Sequence, residues 1–236
     1  FDAVIVQVDK RSSGRVGNIV YRTGTPASNP QYPAINTVAD VVEYAVAYVY
    51  VAAGASGLAS AAIPMGKAAG AYVVTSVQTY QQAENIKNLG ADYIIIQEKE
   101  SIPEVFERLE KEGKPVNVCM DCLSGEDLGK AMPFMARGGY WVVISTLAGI
   151  ETNIQLRPLL TKGLHLVGSM LRNRTPQFKA ELLSKLVKDV WPKIEDGTIK
   201  PSVYKILPIE KTEEAHNLLI DGKSIGKVVL TVYHEK

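Results

Sequence analysis

The run Tyr48-Val-Tyr-Val-Ala-Ala53 is apolar and rich in β-favouring residues. It ends on Gly54-Ala-Ser-Gly57, and a small-residue helical stretch, Leu58 to Ala69, stands directly behind it. A strand that turns through glycines straight into a helix is the opening of a phosphate-cradling βα unit. Gly54 is expected to permit the tight turn and Gly57 to let the backbone approach a pyrophosphate. Ala59 takes the third small position, where helix packs on strand. The start of such a helix offers unpaired N–H groups and a partial positive charge to phosphate. Two glycines alone say little; the strand before them and the helix after them carry the reading.

Strands and helices then alternate regularly. The β-branched run Ala71 to Ser76 precedes helical spacing from Tyr80 to Leu89, closed by Gly90. Asp92 to Ile96 predicts a third strand, and Ile102 to Lys111 a helix stopped by Gly113 and Pro115. Val116 to Met120 reads as the fourth strand, Gly125 to Ala136 as a helix, Gly139 to Ile144 as the fifth strand and Leu164 to Ser169 as the sixth. A long amphipathic helix from Thr175 to about Ile194 follows. Apolar strands separated by helices predict a parallel sheet covered on both faces. With right-handed crossovers this is an α/β fold with a doubly wound parallel Rossmann sheet, placed over residues 47–196.

The chain ends are expected to add a small, partial second unit. In residues 1–46, Phe1 to Val8 and Asn18 to Thr23 read as a hairpin about the polar turn Arg11 to Gly17. Thr25 to Pro33 then reads as a loop and Thr37 to Val46 as a helix, too little for a core of its own. In residues 197–236, Ser202 to Ile206 and Lys227 to Tyr233 read as strands flanking a helix from Lys211 to Ile220, and they need not join the main sheet.

Bulk properties exclude several partners. A net charge of +1 over 236 residues gives no electrostatic reason to expect nucleic acid or membrane binding. No apolar run approaches the roughly 20 residues of a membrane span. The chain opens on Phe1 without a basic-then-apolar leader, which points to the cytoplasm and is consistent with a processed or incomplete N-terminus. Cys119 and Cys122 form a C-x-x-C, the pattern of a redox dithiol or half a zinc site. The apolar strand around Cys119 and the lack of a second pair favour buried structural thiols. The three histidines, His165, His216 and His234, lack ligand spacing, so no metal is expected. No G-x-S-x-G elbow appears.

Ligands on doubly wound sheets sit at the carboxyl ends of the strands. That rule gathers Gly54 to Ala59 (with Ser56, Gly57 and Leu58), Ser76 to Gln82, Gln97, Asp121 to Ser124 and Ser145 to Gly149 around one crevice. Arg172 and Arg174, after the sixth strand, either reach it or remain in solvent.

Several blocks occur together and in order: Gly54-Ala-Ser-Gly-Leu58, Leu89-Gly-Ala-Asp92, Asp121 closing the fourth strand, and Gly138-Gly139. Gly168-Ser-Met-Leu-Arg-Asn-Arg174, Glu214-Ala-His216 and Ile225-Gly-Lys-Val-Val-Leu230 complete the set. From about Tyr48 to Tyr233 the chain resembles the zinc-independent medium-chain dehydrogenase/reductases, in their NADPH:quinone oxidoreductase branch. That resemblance implies hydride transfer from NADPH to a quinone or activated alkene without metal. Enoyl-thioester reduction within the same superfamily is the alternative, as is a truncated or redesigned nucleotide-binding module without turnover. The family's N-terminal GroES-like domain has no match in residues 1–46. The family often has a lysine after the second strand for the 2′-phosphate, where this chain reads Thr75-Ser-Val-Gln-Thr-Tyr-Gln-Gln82. A cofactor-flanking tyrosine at the end of the third strand is here Gln97.

Ser76, Thr79 and Gln82 are candidates to hydrogen-bond a 2′-phosphate, or else a polar helix start capped by Thr79. The lack of an acid at the end of the second strand favours NADP over NAD. Leu164 to Ser169 is expected to be an exposed sheet edge, and an unpaired edge invites association. A homodimer through about Ile150 to Ser169 is therefore expected, isologous dimers being the commonest oligomers.

Overall fold

Runs of β-branched and aromatic residues become the strands, and each strand of the main sheet is followed by a helix. The computed structural model describes residues 47–220 and 224–232, and the backbone of two short strands before them. Those two, β1 (Val6–Val8) and β2 (Ile19–Tyr21), pair antiparallel as the expected hairpin. The turn expected at 11–17, the loop at 25–33 and the helix at 37–46 lie outside the described residues.

The main sheet contains β3 (Tyr48–Val51), β4 (Tyr72–Val77), β5 (Tyr93–Ile96), β6 (Val118–Asp121), β7 (Tyr140–Val143) and β8 (His165–Gly168). Their order is β5-β4-β3-β6-β7-β8 and every pairing is parallel. The direction of winding reverses between β3 and β6, which makes the carboxyl ends of those two strands the topological switch point.

Successive strand residues face opposite sides. Tyr50 enters one core with Phe106 of α3 (Ile102–Lys111), Leu128 of α4 (Glu126–Ala131) and Trp141. Val51 enters the other, with Ile63 of α1 (Ala59–Ala68), Val73 and Ile86 of α2 (Tyr80–Ile86). In the first core Tyr50 meets Phe106 edge-on at 5.2 Å between ring centres, and Phe106 lies 5.9 Å from Trp141. Such pairs add about 0.5–1.5 kcal/mol each beyond burial. Thr79 and Ser101 start α2 and α3 with reciprocal capping boxes, so both helices begin where their sequence signals stand.

Three helices differ from expectation, each for a backbone reason. The segment Gly125 to Ala136 is helical only to Ala131, with a single 3₁₀ turn at Met132–Phe134 around Pro133. The long helix from Thr175 is two, α6 (Pro176–Asp189) and α7 (Trp191–Glu195), because Pro192 cannot donate to the turn before it. Between β7 and β8 lies α5 (Leu156–Lys162), hidden in the sequence by its brevity and Pro158. The C-terminal elements β9 (Val203–Pro208), α8 (Thr212–Ile220) and β10 (Lys227–Thr231) form a separate parallel pair crossed over by α8. No helix among the described residues is long and apolar enough to cross a membrane.

Asp121, 3% exposed at the end of β6, ties core to loop. One carboxylate oxygen accepts the N–H groups of Leu123 (2.8 Å) and Ser124 (3.0 Å), and the other accepts Trp141 Nε1–H at 2.7 Å. Replacing it by alanine strands three donors, one of them deep in the core. Asp121→Ala should lower stability by about 3 kcal/mol, and Asp121→Asn by less, in urea unfolding.

Candidate functional site

The loop after β3 is pinned from both sides. Ala52 N–H donates to Met120 O (3.0 Å) and Gly54 N–H to Ser76 O (2.7 Å). The left-handed residue of this turn is Ala53, with φ 54°, rather than Gly54. Gly54 is required for space. A Cβ there would stand 2.7 Å from both the Thr75 hydroxyl and Ile86 Cδ1. Thr75 cannot yield, since it is fully buried and its hydroxyl donates to Val51 O at 2.6 Å.

Ser56 acts locally: its hydroxyl accepts Ala59 N–H at 3.1 Å and its carbonyl accepts Ser60 N–H at 3.0 Å. The amides of Gly57 and Leu58 meet no acceptor among the described residues. Two donors therefore remain at the mouth of α1, the arrangement an anion needs. A third positive end approaches from the C-terminal unit, because a Cβ at Gly57 would stand 2.6 Å from Lys227 Nζ. Lys227 is placed there by close backbone contact. Its N–H donates to Ser202 O at 2.9 Å, and the preceding Gly226 (φ +85°) has no room for a side chain, since a Cβ would meet that same oxygen at 2.4 Å. The sequence signal for Lys227 was present in the block Ile225 to Leu230, but nothing local linked it to a loop 170 residues earlier.

At the end of β4 the candidates have local partners. Ser76 is 1% exposed and shares a 2.7 Å hydrogen bond with the Tyr50 hydroxyl, so its side chain faces the core and leaves the set of candidate phosphate donors. Thr79 Oγ1 accepts Gln82 N–H at 3.2 Å, while Gln82 Oε1 accepts the N–H groups of Gln78 (2.9 Å) and Thr79 (3.4 Å). These are the bonds of a polar helix start. Gln97 is exposed, its N–H held by Val77 O at 2.9 Å. Glu98, which sequence reading passed over, accepts Tyr80 N–H at 3.2 Å.

Across the switch point the loops after β6 and β7 are latched together. Ser124, left-handed at φ 57°, donates its hydroxyl to Ser145 O at 3.0 Å. Ala148 N–H donates to Leu123 O at 2.8 Å. The Ser145 backbone is thus held fixed just past the end of β7. Arg172 follows β8, which lies three strand spacings from β3, about 14 Å. Its carbonyl accepts Lys179 Nζ–H at 3.1 Å, and the Arg174 guanidinium lies 5.2 Å from the Phe178 ring centre.

Cys119 and Cys122 are free and buried. Burial, with the Asp121 charge adding to it, pushes both thiols up, so they stay protonated and unreactive. No group of three His, Cys, Asp or Glu side chains comes together among the described residues.

The two glycines should respond differently to a methyl group. Gly54→Ala forces Thr75 or Ile86 to move and should cost about 2 kcal/mol in urea unfolding. Gly57→Ala displaces only the far end of the Lys227 side chain and should change stability by no more than about 0.5 kcal/mol.

The sequence model of the family described as zinc-binding dehydrogenase matches residues 57–188. A 2-haloacrylate reductase from Burkholderia sp is 24% identical over 187 residues, covering 78% of this chain and 55% of that protein. The NADP-dependent oxidoreductase RED1 of Cochliobolus heterostrophus is 26% identical over 198 residues, covering 78% of this chain and 53% of its own. A mouse quinone oxidoreductase is 29% identical over 118 residues, covering 50% of this chain and 34% of that protein. The crystal structure of a 2-haloacrylate reductase superposes with a TM-score of 0.68 at 24% identity, covering 81% of this chain and 60% of that one, a likeness of fold. The chain spans about half the length of the first two relatives.

Proposed function

Because this chain belongs to the zinc-binding dehydrogenase family, we propose that it carries the dinucleotide-binding part of an oxidoreductase that moves hydride from NADPH to a quinone or other activated alkene. The observation that carries the reading is the convergence of the Gly57 and Leu58 amides with the Lys227 ammonium on one glycine-lined loop at the switch point. A diphosphate matches such a cluster in charge and in hydrogen-bonding sense. The likeness to an NADP-dependent oxidoreductase and the absence of an acid at the end of β4 support NADPH over NADH.

When bound, the dinucleotide supplies the hydride, which leaves position and electrostatics to the protein. Gly57, Leu58 and Lys227 hold the phosphates. The latched loops from Ser124 and Ser145 keep the crevice wall from shifting. Enoyl-thioester reduction is the second reading; the likeness to 2-haloacrylate reductase, whose named substrate is a conjugated alkene, supports the activated-alkene side of the first. A nucleotide-binding module without turnover is the third. A cytoplasmic setting accompanies each.

Calorimetric titration with NADPH followed by NADPH oxidation against quinones, enones and enoyl thioesters tests these readings. Binding with quinone or enone turnover is expected. Turnover on thioesters alone selects the second reading, and binding without turnover the third. Lys227→Gln should weaken NADPH about tenfold and flatten the salt dependence of binding, while leaving adenosine affinity unchanged. Absence of NADPH binding to the unsubstituted chain refutes the site.

We also propose a homodimer through residues 150–169. Edge strand β8 lies beside α5, whose Leu156 and Leu160 are 72% and 82% exposed, and Leu166 of β8 is 42% exposed. Pairing two edges removes an association liability and covers these leucines. Light scattering should give twice the chain mass at micromolar concentration, and a monomer there would refute the dimer.

A further inference from the structure

In doubly wound dinucleotide folds a residue roughly 20 positions beyond the glycine turn receives the 2′ substituent of the adenosine ribose. Counted from Gly57, that position falls at the end of β4, in the uncharged segment Thr75-Ser-Val-Gln-Thr-Tyr-Gln-Gln82. The donors of this segment are largely committed. Ser76 is bonded to Tyr50, the Gln78 and Thr79 amides to Gln82, and the Gln82 amide to Thr79.

Charge reaches the segment from the next strand. Glu98, just past β5, accepts Tyr80 N–H at 3.2 Å, on the first residue of α2. Its backbone is fixed against the same segment: Glu98 N–H donates to Gln78 O at 3.1 Å, and Gln97 N–H to Val77 O at 2.9 Å. Only rotation of its own side chain can take the carboxylate away.

Resting on the reading of the crevice as a dinucleotide site, we infer that Glu98 is a specificity-determining residue at its ribose end. A carboxylate beside the 2′ position repels a phosphate and accepts a hydrogen bond from a hydroxyl. It also occupies an α2 amide that a phosphate would otherwise take. Glu98 therefore narrows the margin between NADPH and NADH, acting from β5 where the acid that usually selects NAD stands at the end of the second strand.

Calorimetric titration of the full chain with NADPH and NADH, unsubstituted and as Glu98→Gln and Glu98→Lys, tests the inference. Glutamine retains an acceptor for Tyr80 N–H and removes only the charge. Glu98→Gln should tighten NADPH about tenfold and leave NADH within about twofold, the scale of one like charge a few ångströms away at a protein surface. Glu98→Lys should tighten NADPH further, and both gains should shrink in 0.5 M salt, about the concentration at which surface charges are screened within a few ångströms. Affinities for both dinucleotides that do not move, or that move together, overturn the role of Glu98 while leaving the site intact. Failure of every protein to bind either dinucleotide overturns the reading of the crevice, and this inference with it.

Discussion

The reversal of winding between β3 and β6 is the constraint on which the rest depends. From β3 the chain proceeds through α1 and α2 on one face; α3 then carries it back to β6, and α3 and α4 pack the other. The loops leaving these two strands must therefore diverge, and the space between them is the crevice. Everything else of functional interest is a device for holding those loops in place. Gly54 lets one loop close onto Thr75, and Asp121 anchors the other to Trp141 in the core.

The charge arrangement along the crevice is graded. At the α1 end, the Gly57 and Leu58 amides, which meet no acceptor among the described residues, and the Lys227 ammonium meet over a glycine. At the α2 end the amides are already taken by Gln82, Thr79 and Glu98. One end is open to an anion and the other is closed by the protein's own acceptors. A ligand with a buried diphosphate and a more lightly held ribose suits such a gradient.

Much of the fold was legible along the chain. The strands at Tyr48, Tyr72, Tyr93, Val118 and Tyr140 lie where apolar runs predicted, because a strand covered on both faces admits few polar residues, and the exposed edge strand at His165 follows a shorter apolar run. Helix starts were legible at Thr79 and Ser101, where cap and third residue form a box within four positions. What was obscured were interruptions. Pro133 and Pro192 sit inside stretches of good helical spacing, and periodicity does not register the loss of one backbone donor. The site was legible to the level of loops, and less so to the level of side chains. Thr79 and Gln82 are candidate ligands for the same reason that they are good caps, namely polar side chains beside a helix start.

The sequence by itself determined the order of strands and helices, the glycine turn and the family blocks, since each depends on residues within a few positions of one another. Tertiary structure alone decided which side chains face the crevice. Ser76 turned inward because Tyr50, on the neighbouring strand, offers its hydroxyl in the core. Ala53, not a glycine, took the left-handed turn, whereas Gly54 is needed for space, since Thr75 and Ile86 fill the volume beside it. Lys227 and Glu98 reach their loops across distant strands, one from a separate sheet and one from the edge of the main one. No local pattern records such approaches, because the energy that places these charges belongs to the packing of elements far apart in the chain.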